Sequence, residues 1–339
     1  MEEQKTRNEK LWKIIDPGVS YFKRNLGILI ALLLMMAIVS CLSNNFLKGS
    51  NLLNILRQIS TNTFLSFGML FVILIGGIDL SVGSLVAFSG VMVAYGLGVW
   101  HLPLFLAVLI SLVLSTLVGV FNGGIVSKTG IHPFVVTLAT ETIFRGVAML
   151  IAKGAPIRIT NKQFIKFGTS YLGPVAYPII YAFIIMFICF VLLNRTKFGR
   201  HMYAIGGNRV AAKFAGINID RTETMVYTIS AFLAGLAGIV LASRMTAGVP
   251  AAGTGYELDA IAAVVLGGAS FTGGVGTVGG TLIGAIIIGV IANGLNMLNV
   301  ASFWQYIVKG IVILLAVLID VLRKKRKTQL DVKKIKGED

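Results

Sequence analysis

LIGGIDLSVGSLVAFSG, residues 74–90, places one aspartate and several glycines and serines inside one of the most apolar parts of the chain. A helix that crosses a membrane needs about 20 mostly apolar residues, because each residue rises about 1.5 Å through a hydrocarbon core about 30 Å thick. Apolar runs of about this length lie on both sides of Asp79. The stretch therefore marks a reversal where one membrane span ends and the next begins.

The rest of the chain has the composition of a membrane protein. Its 339 residues are 56% hydrophobic and only 13% charged, whereas an ordinary soluble domain carries roughly 25% charged residues. The apolar runs lack the period-2 alternation of a transmembrane barrel. We therefore predict an all-α integral membrane protein of about ten transmembrane helices with short loops. The predicted spans are 26–43, 58–76, 80–99, 102–126, 131–152, 174–193, 224–242, 257–270, 277–298 and 303–321.

The net charge of +16 is concentrated on one side of this ten-span topology. The tail before residue 26, the loop 195–221, the end from Arg323 onward and Lys128 together hold 21 of the 30 lysines and arginines. Loops rich in Lys and Arg stay in the cytoplasm, so both termini are expected there, and nucleic acid is not an expected partner. The loop from Lys153 to Lys166 departs from this pattern, because its four basic residues fall outside.

The domain boundaries follow from the spans and the charge. A cytoplasmic tail, 1–25, precedes a single transmembrane domain, 26–321, which contains a long cytoplasmic loop at about 194–223. A basic cytoplasmic tail, 322–339, follows. No residues are left for a soluble catalytic domain.

The reversal has two interpretations. Asp79 can cap the next helix by accepting backbone N–H groups of its first turn. Irregular backbone at membrane depth is also tolerated where it lines a cavity or moves. The second interpretation makes Asp79, Ser81, Gly83 and Ser84 candidate residues of a transport pathway or gate.

Three asparagines in apolar surroundings extend this set: Asn122, Asn293 and Asn296. Their amides can bind the hydroxyl groups of a sugar or form hydrogen bonds between helices.

We predict that the few charged residues within the spans stabilise the fold by pairing with one another or by capping a helix. Glu141 and Arg145 are four residues apart, so they are expected to neutralise each other on one helix. Thr254 and Glu257 fit a capping box at the start of a span. Asp259 and Lys309 are predicted to pair between two spans.

The loop 203–217 predicts a short helix. Asn208 is a good N-cap, Arg209 to Ala215 favours a helix, and Gly216 is placed as its stop. Such a helix either rests on anionic lipid or forms a rigid knob for a cytoplasmic partner. The candidate docking residues are Gly206, Gly207, Asn208, Arg209, Val210, Ala211, Lys213, Phe214 and Gly216.

No residues point to catalysis, a metal or a cofactor. Cys41 and Cys189 lie in apolar segments, and three scattered histidines complete no metal-ligand spacing. The GxxxxGK[ST] pattern that cradles nucleotide phosphates is missing from the sequence. If ATP is used, another polypeptide must bind it.

Four blocks carry a family resemblance: GGIDLSVGS at 76–84, FGRHMYAIGGNRVAAKFAGIN at 198–218, AGTGYELDAIAAVVLGGAS at 252–270 and GTLIGAIIIGVIANGLNML at 280–298. They resemble the permease subunit of bacterial monosaccharide ABC importers of the ribose/xylose/galactose type, and the ribose subtype most of all. The resemblance covers about residues 25–322.

The resemblance implies a multi-pass permease of the bacterial inner membrane that works as a symmetric dimer and performs no bond chemistry. Its implied partners are an ATP-hydrolysing subunit, an extracytoplasmic sugar-binding protein, a second permease copy and the lipid bilayer. The helix near 207–216 would be the coupling helix that docks the ATPase subunit.

Three alternatives stay open. A permease of the same family could carry another sugar or an autoinducer-like furanose. An ion-coupled secondary transporter would place ionisable residues at mid-membrane, and here the central spans hold almost none besides Glu141 and Arg145. A membrane-embedded enzyme would need a catalytic cluster that the sequence lacks.

Overall fold

The chain folds into a bundle of helices that is described by a computed structural model over residues 26–301, 303–312, 314–315 and 318. The helices are α1 (Leu26–Leu42), α2 (Gly49–Leu74), α3 (Val82–Gly98), α4 (Leu104–Thr129), α5 (Pro133–Ala152), α6 (Lys162–Thr169), α7 (Tyr177–Arg195), α8 (Lys197–Gly207), α9 (Arg209–Phe214), α10 (Ile219–Met245), α11 (Tyr256–Leu266), α12 (Val278–Met297) and α13 (303–312). The predicted tails 1–25 and 322–339 lie outside the described residues, as does the end of the last predicted span.

Helix α10 is the centre of the bundle. It packs mainly against α2, α3 and α4, and most of its length is buried. Small residues such as Ala231, Ala234 and Gly238 face these neighbours and are buried. Small side chains allow membrane helices to approach closely, so van der Waals contact over a long helix can hold them together.

By length and composition, five helices in the described ranges can cross a membrane: α4, α5, α7, α10 and α12. Helices α1 and α3 are apolar but shorter. Most predicted spans match a helix to within three residues at either end. The predicted spans 58–76 and 224–242 are too short, because α2 starts at Gly49 and α10 runs from Ile219 to Met245.

The predicted span 257–270 is wrong. Helix α11 has only 11 residues, which gives a length of about 16 Å and covers about half of the hydrocarbon core. The segment 246–255, which precedes α11, is not helical. It consists of turns and the short strand β4 (Ala247–Gly248). We call this segment together with α11 the broken span.

The non-helical part of the broken span runs along α3. Gly248 packs against Gly90 and Ala94, and Gly253 packs against the carbonyl of Gly83. Ala94 and Gly83 are 11 positions apart in one helix, so the segment descends about 16 Å into the bundle. Gly253 has a φ of +71°, and a Cβ there would lie 2.6 Å from the Gly83 oxygen. The approach therefore requires glycine.

The two ends of the bundle carry different additions. We call the end with α8 and α9 the α9 face, and the opposite end the α6 face. At the α6 face, strand β1 (Ile157–Arg158) pairs antiparallel with β4, and β2 (Tyr171–Leu172) pairs with β3 (Val175–Ala176). The Ser243 hydroxyl on α10 donates to the Phe164 carbonyl and accepts from the Gly168 amide. The loop 153–176 is thus fastened to the end of α10.

Candidate functional site

The reversal 75–81 lies inside the bundle, and Asp79 is its anchor. Its Oδ1 accepts hydrogen bonds from the Ser81 amide (3.1 Å) and the Ser81 hydroxyl (2.6 Å), and its Oδ2 accepts one from the Ser230 hydroxyl (2.8 Å). The Asp79 residue is 1% exposed. Ser230 lies 11 residues, or about 16 Å, from the start of α10. The carboxylate is therefore held deep within the chain by three donors.

Two more helices join this network. The amide of Asn122 on α4 donates to the Ser81 hydroxyl (3.1 Å) and its oxygen accepts from Thr140 on α5 (2.7 Å). Thr137 on α5 donates to the carbonyl of Ile78 (3.2 Å). The network thus connects the reversal with α4, α5 and α10, and we call it the Asp79 network. Buried polar groups that all find partners stabilise one arrangement of the helices.

The N-cap prediction for Asp79 needs a correction. The cap position of α3 is occupied by Ser81, with no side-chain cap hydrogen bond. Asp79 instead accepts from the amide two residues on, which is an Asx-type turn. The turn tightens the reversal, and the other carboxylate oxygen becomes available to Ser230.

The remaining polar residues predicted for the pathway lie in separate places. Ser84 is fully buried and donates to the Ser81 carbonyl. Asn293 exchanges two hydrogen bonds with Asn51 at the start of α2, of 3.0 and 3.1 Å. Asn296 accepts from Gln305 on α13 (2.8 Å). Asn122, Asn293 and Asn296 thus all form hydrogen bonds between elements, and their role in a pathway stays a prediction.

The loop 195–221 folds into two consecutive helices. Asn208 caps α9 by accepting the Ala211 amide, as predicted. Helix α8, which Thr196 caps, was not predicted. Gly216 follows with a φ of +79°, which ends the short helix. Val210 and Phe214 are 65% and 88% exposed. An apolar edge therefore projects from the α9 face.

Helix α8 fixes this projection to the bundle. Gly206 lies against the carbonyl of Leu74 at the end of α2, where a Cβ would approach to 1.8 Å. The Gly274 amide donates to the same carbonyl (2.9 Å). Tyr203 donates to the Gly276 carbonyl (2.8 Å). The glycine-rich run 267–280 therefore packs against α8, next to the reversal.

An ion pair connects α9 with α10. The guanidinium of Arg209 contacts both carboxylate oxygens of Glu223, with a distance of 3.0 Å between Nη2 and Oε2. The Glu223 side chain is 3% exposed and that of Arg209 is 53% exposed. The hydrogen bonds that Arg209 donates to Glu223 raise the pKa of Arg209 above its usual value. Sequence reasoning missed this pair because its members lie 14 residues apart on different helices.

A polar cavity of about 310 Å³ lies between α9 and the reversal. Arg209, Glu223, Tyr227, His132 and the backbone of Gly76 and Gly77 are among its lining groups. The Tyr227 hydroxyl is buried and has no hydrogen-bond partner within the described part of the chain. The cavity therefore separates α9 from the reversal.

A second group of charges lies at the broken span, and we call Glu141, Arg145 and Glu257 the charged cluster. Arg145 Nε lies 3.5 Å from Glu141 Oε1, as the spacing predicted. Arg145 also donates to the carbonyls of Ala252 (2.7 Å) and Pro250 (3.3 Å). Glu257 Oε2 faces the backbone of Gly83. The cluster therefore joins α5, α3 and the broken span.

The capping-box prediction for Thr254 and Glu257 is wrong. The N-cap of α11 is Gly255, with a φ of +81°, and Thr254 instead donates to the Ala251 carbonyl. Glu257 Oε1 accepts the Gly255 amide (3.2 Å). Its Oε2, like Nη2 of Arg145, is buried without a partner in the described ranges.

The predicted pair between Asp259 and Lys309 is present. Lys309 Nζ lies 2.8 Å from Asp259 Oδ2, and the two side chains are 25% and 8% exposed. The pair connects the first turn of α11 with α13. It neutralises two charges that would otherwise be costly within a membrane.

Comparisons with known proteins agree on one family. The family model described as "Branched-chain amino acid transport system / permease component" matches residues 51–317. The chain is 47% identical over 304 residues to the ribose import permease protein RbsC of Bacillus subtilis (strain 168), covering 89% of this chain and 94% of the relative. It is 45% identical over 296 residues to RbsC of Escherichia coli (strain K12), covering 86% and 92%.

A third relative is more distant. The D-allose transport system permease protein AlsC of Escherichia coli (strain K12) is 37% identical over 300 residues, covering 88% of this chain and 92% of the relative. No solved structure matches the chain.

Proposed function

Because this chain belongs to the family of branched-chain amino acid transport system permease components, we propose that it carries ribose across the bacterial cytoplasmic membrane. It is the membrane-spanning permease subunit of an ABC-type monosaccharide importer, not an enzyme, and ATP is hydrolysed by a separate subunit. Ribose is the proposed sugar because both relatives above 40% identity named here are ribose import permeases. Another sugar, such as allose, is the second candidate.

The observation that best supports an ATPase partner is the shape of the α9 face. Helix α9 is short, capped at its start, and fixed to the bundle through α8 and the Arg209–Glu223 pair. Its apolar edge, Val210 and Phe214, has no cover within the described chain. A rigid helix with exposed apolar side chains suits a groove on another protein. We assign that groove to the ATP-hydrolysing subunit.

The transport cycle follows from this assignment. ATP can shift the permease between an outward-open and an inward-open state only by favouring one of them. Movement of α9 would reach α10 through Glu223 and the reversal through Gly206 and Leu74. Asp79 and Ser81 lie in the reversal that this movement would displace, and Gly83 and Ser84 lie in the first turn of α3 that follows it. We propose these four residues as part of the gate.

The proposal includes orientation and assembly. The α9 face would lie in the cytoplasm together with both termini, and the α6 face would receive an extracytoplasmic sugar-binding protein. Two copies of this chain would form the pathway between them. The basic residues Arg195, Lys197, Arg200 and Lys213 near α8 and α9 support this orientation, because such residues accumulate in cytoplasmic loops.

The docking of α9 is tested by co-purification. The tagged chain is extracted in mild detergent from its native membrane, and the bound proteins are identified for the wild type and for Phe214→Ala. The wild type is expected to retain an ATPase subunit, and Phe214→Ala is expected to retain at least fivefold less. The cause would be the loss of a side chain that is 88% exposed and that would be covered in the complex.

Leu172→Ala is the matched control, since it removes an apolar side chain that is 67% exposed on the α6 face. It is expected to retain the ATPase at the wild-type level. Equal loss in both variants would contradict docking through α9. Absence of any ATPase from the wild-type preparation under several mild conditions would contradict the importer.

A further inference from the structure

The charged cluster lies at the middle of the membrane domain. Glu141 and Arg145 follow the first residue of α5 by 8 and 12 positions, which places them about 12 and 18 Å along a helix of 20 residues. Glu257 lies in the first turn of α11, where the non-helical segment ends. Both carboxylates and the guanidinium therefore lie far from either end of the bundle.

The cluster reaches the surface of the single chain. The side chains of Glu141 and Arg145 are 25% and 17% exposed. Thr254 and Ala251, on the neighbouring backbone, are exposed. Charged groups at mid-membrane are costly in lipid and almost always face a water-filled cavity or the interior of an assembly. This side of the chain is therefore not a lipid surface.

The cluster also has unused hydrogen-bonding capacity. Arg145 Nη2 requires an acceptor and Glu257 Oε2 requires a donor, and neither atom has a partner within the described residues. A hydroxyl group both donates and accepts, so the hydroxyls of a monosaccharide suit both atoms. Ala251 and Thr254 of the broken span are exposed beside these atoms, and transporters bind substrate at such breaks near the midplane.

We infer that the sugar passes along the broken span and binds there, through its hydroxyl groups, to Arg145, Glu257 and the backbone of 250–255. The inference rests on the proposed function and goes beyond it by naming the contact site. Nη2 and Oε2 are covered in the present structure, so the passage is closed here. The glycines at 248, 253 and 255 allow the backbone to rearrange when the passage opens.

The contrast with the Asp79 network supports this choice. Both carboxylate oxygens of Asp79 have protein donors, and Asp79 is 1% exposed. A sugar could reach Asp79 only by displacing these donors. The charged cluster binds a sugar without breaking any hydrogen bond of Nη2 or Oε2.

The test uses a charged thiol reagent that cannot cross membranes and that reacts only with thiolate in water. Cys41 and Cys189 are replaced by alanine, and Thr254→Cys is then introduced into the importer, assembled with its ATPase subunit and binding protein in lipid vesicles. Phe187→Cys on α7 is the matched control, because Phe187 is 66% exposed and lies near the middle of an apolar helix.

Thr254→Cys is expected to react at least tenfold faster than Phe187→Cys, and saturating ribose during ATP turnover is expected to slow its reaction at least threefold. A rate equal to that of Phe187→Cys overturns the inference, because residue 254 would then face lipid or a water-free protein interface. A fast rate that ribose leaves unchanged also overturns it, because the sugar then passes elsewhere.

Wild-type vesicles separate this inference from the proposed function. ATP-dependent ribose uptake by the wild type, together with either negative labelling result, refutes the contact site alone. Vesicles that show no ATP-dependent uptake of ribose refute the proposed sugar, whatever the labelling rates.

Discussion

The Asp79 network and the charged cluster both place polar groups inside an apolar bundle, but they differ in whether their buried polar atoms have hydrogen-bond partners. Asp79 receives three donors, and Asn122 receives and donates within the same network. At the charged cluster, Nη2 of Arg145 and Oε2 of Glu257 have no partner among the described residues. The carboxyl group of the Asp79 network is fully hydrogen-bonded within the chain, whereas the charged cluster has two atoms that can still bind a ligand.

This difference separates two uses of polar residues in a membrane protein. A satisfied network specifies how helices pack, since any displacement breaks several hydrogen bonds together. An unsatisfied buried group costs free energy in the resting state and so needs a compensating role. We therefore expect the Asp79 network to contribute more to stability and the charged cluster to contribute more to sugar binding.

Asp79→Ala should have the largest effect on stability. It removes three hydrogen bonds and leaves two serine hydroxyls without their acceptor. We expect a loss of about 3 kcal/mol, or more than a hundredfold in the folding equilibrium. Thermal unfolding of the detergent-extracted protein measures it, and Asp79→Asn should lose about half as much. If Asp79→Ala were as stable as the wild type, the network would be dispensable for stability.

Reversal of one charge in the Asp259–Lys309 pair should have the next largest effect. Asp259→Lys or Lys309→Asp places two like charges together where the wild type has an ion pair. Each single change should cost about 2 kcal/mol, measured as the amount of folded protein in the membrane. The double exchange should restore most of the loss. A double variant no better than the singles would contradict the pair.

Glu257→Gln should reduce transport without a matching loss of stability. Its Oε1 can still accept the Gly255 amide, so the fold is expected to keep its stability within about 1 kcal/mol. The second carboxyl oxygen, the acceptor for a sugar hydroxyl, is replaced by an NH2 group that can only donate, and uptake is expected to fall about tenfold. Radiolabelled ribose uptake and thermal unfolding are measured on the same preparation. A parallel loss of both quantities would assign Glu257 to packing.

Ser230→Ala should have the smallest effect of this series. It removes a single donor from Asp79 while both hydrogen bonds from Ser81 remain. The expected loss is about 1 kcal/mol, measured by thermal unfolding beside Asp79→Ala. Ser66→Ala is the control, because Ser66 is equally buried and donates only to a carbonyl of its own helix. A loss equal to that of Asp79→Ala would mean that the hydrogen bond from Ser230 on α10 accounts for the whole stabilising effect of Asp79.

Local rules were sufficient where the structure is local. Helix α9 with its Asn208 cap and Gly216 stop follows from propensity and capping, and the Glu141–Arg145 pair follows from helical spacing. Apolar run length located most spans. The Asp259–Lys309 pair was also predictable, because the predicted topology places both opposite charges on the outer side of their spans.

Local rules failed where the structure depends on packing against backbone that is distant in sequence. The Thr254 to Glu257 pattern fits a capping box, but Gly255 takes the cap position in a left-handed conformation. Gly248, Pro250, Gly253 and Gly255 were the available signal that the span is broken. How deep the break lies depends on packing against Gly83 and Gly90 of α3, which sequence spacing does not contain.

The most direct test of the account is sugar transport by the reconstituted importer. The chain is placed in lipid vesicles with its ATPase subunit, and the sugar-binding protein and radiolabelled ribose are added at the α6 face. The account predicts ribose accumulation that requires ATP hydrolysis and continues without any ion gradient. Accumulation without ATP, driven by a proton or sodium gradient, would contradict it and would identify an ion-coupled transporter.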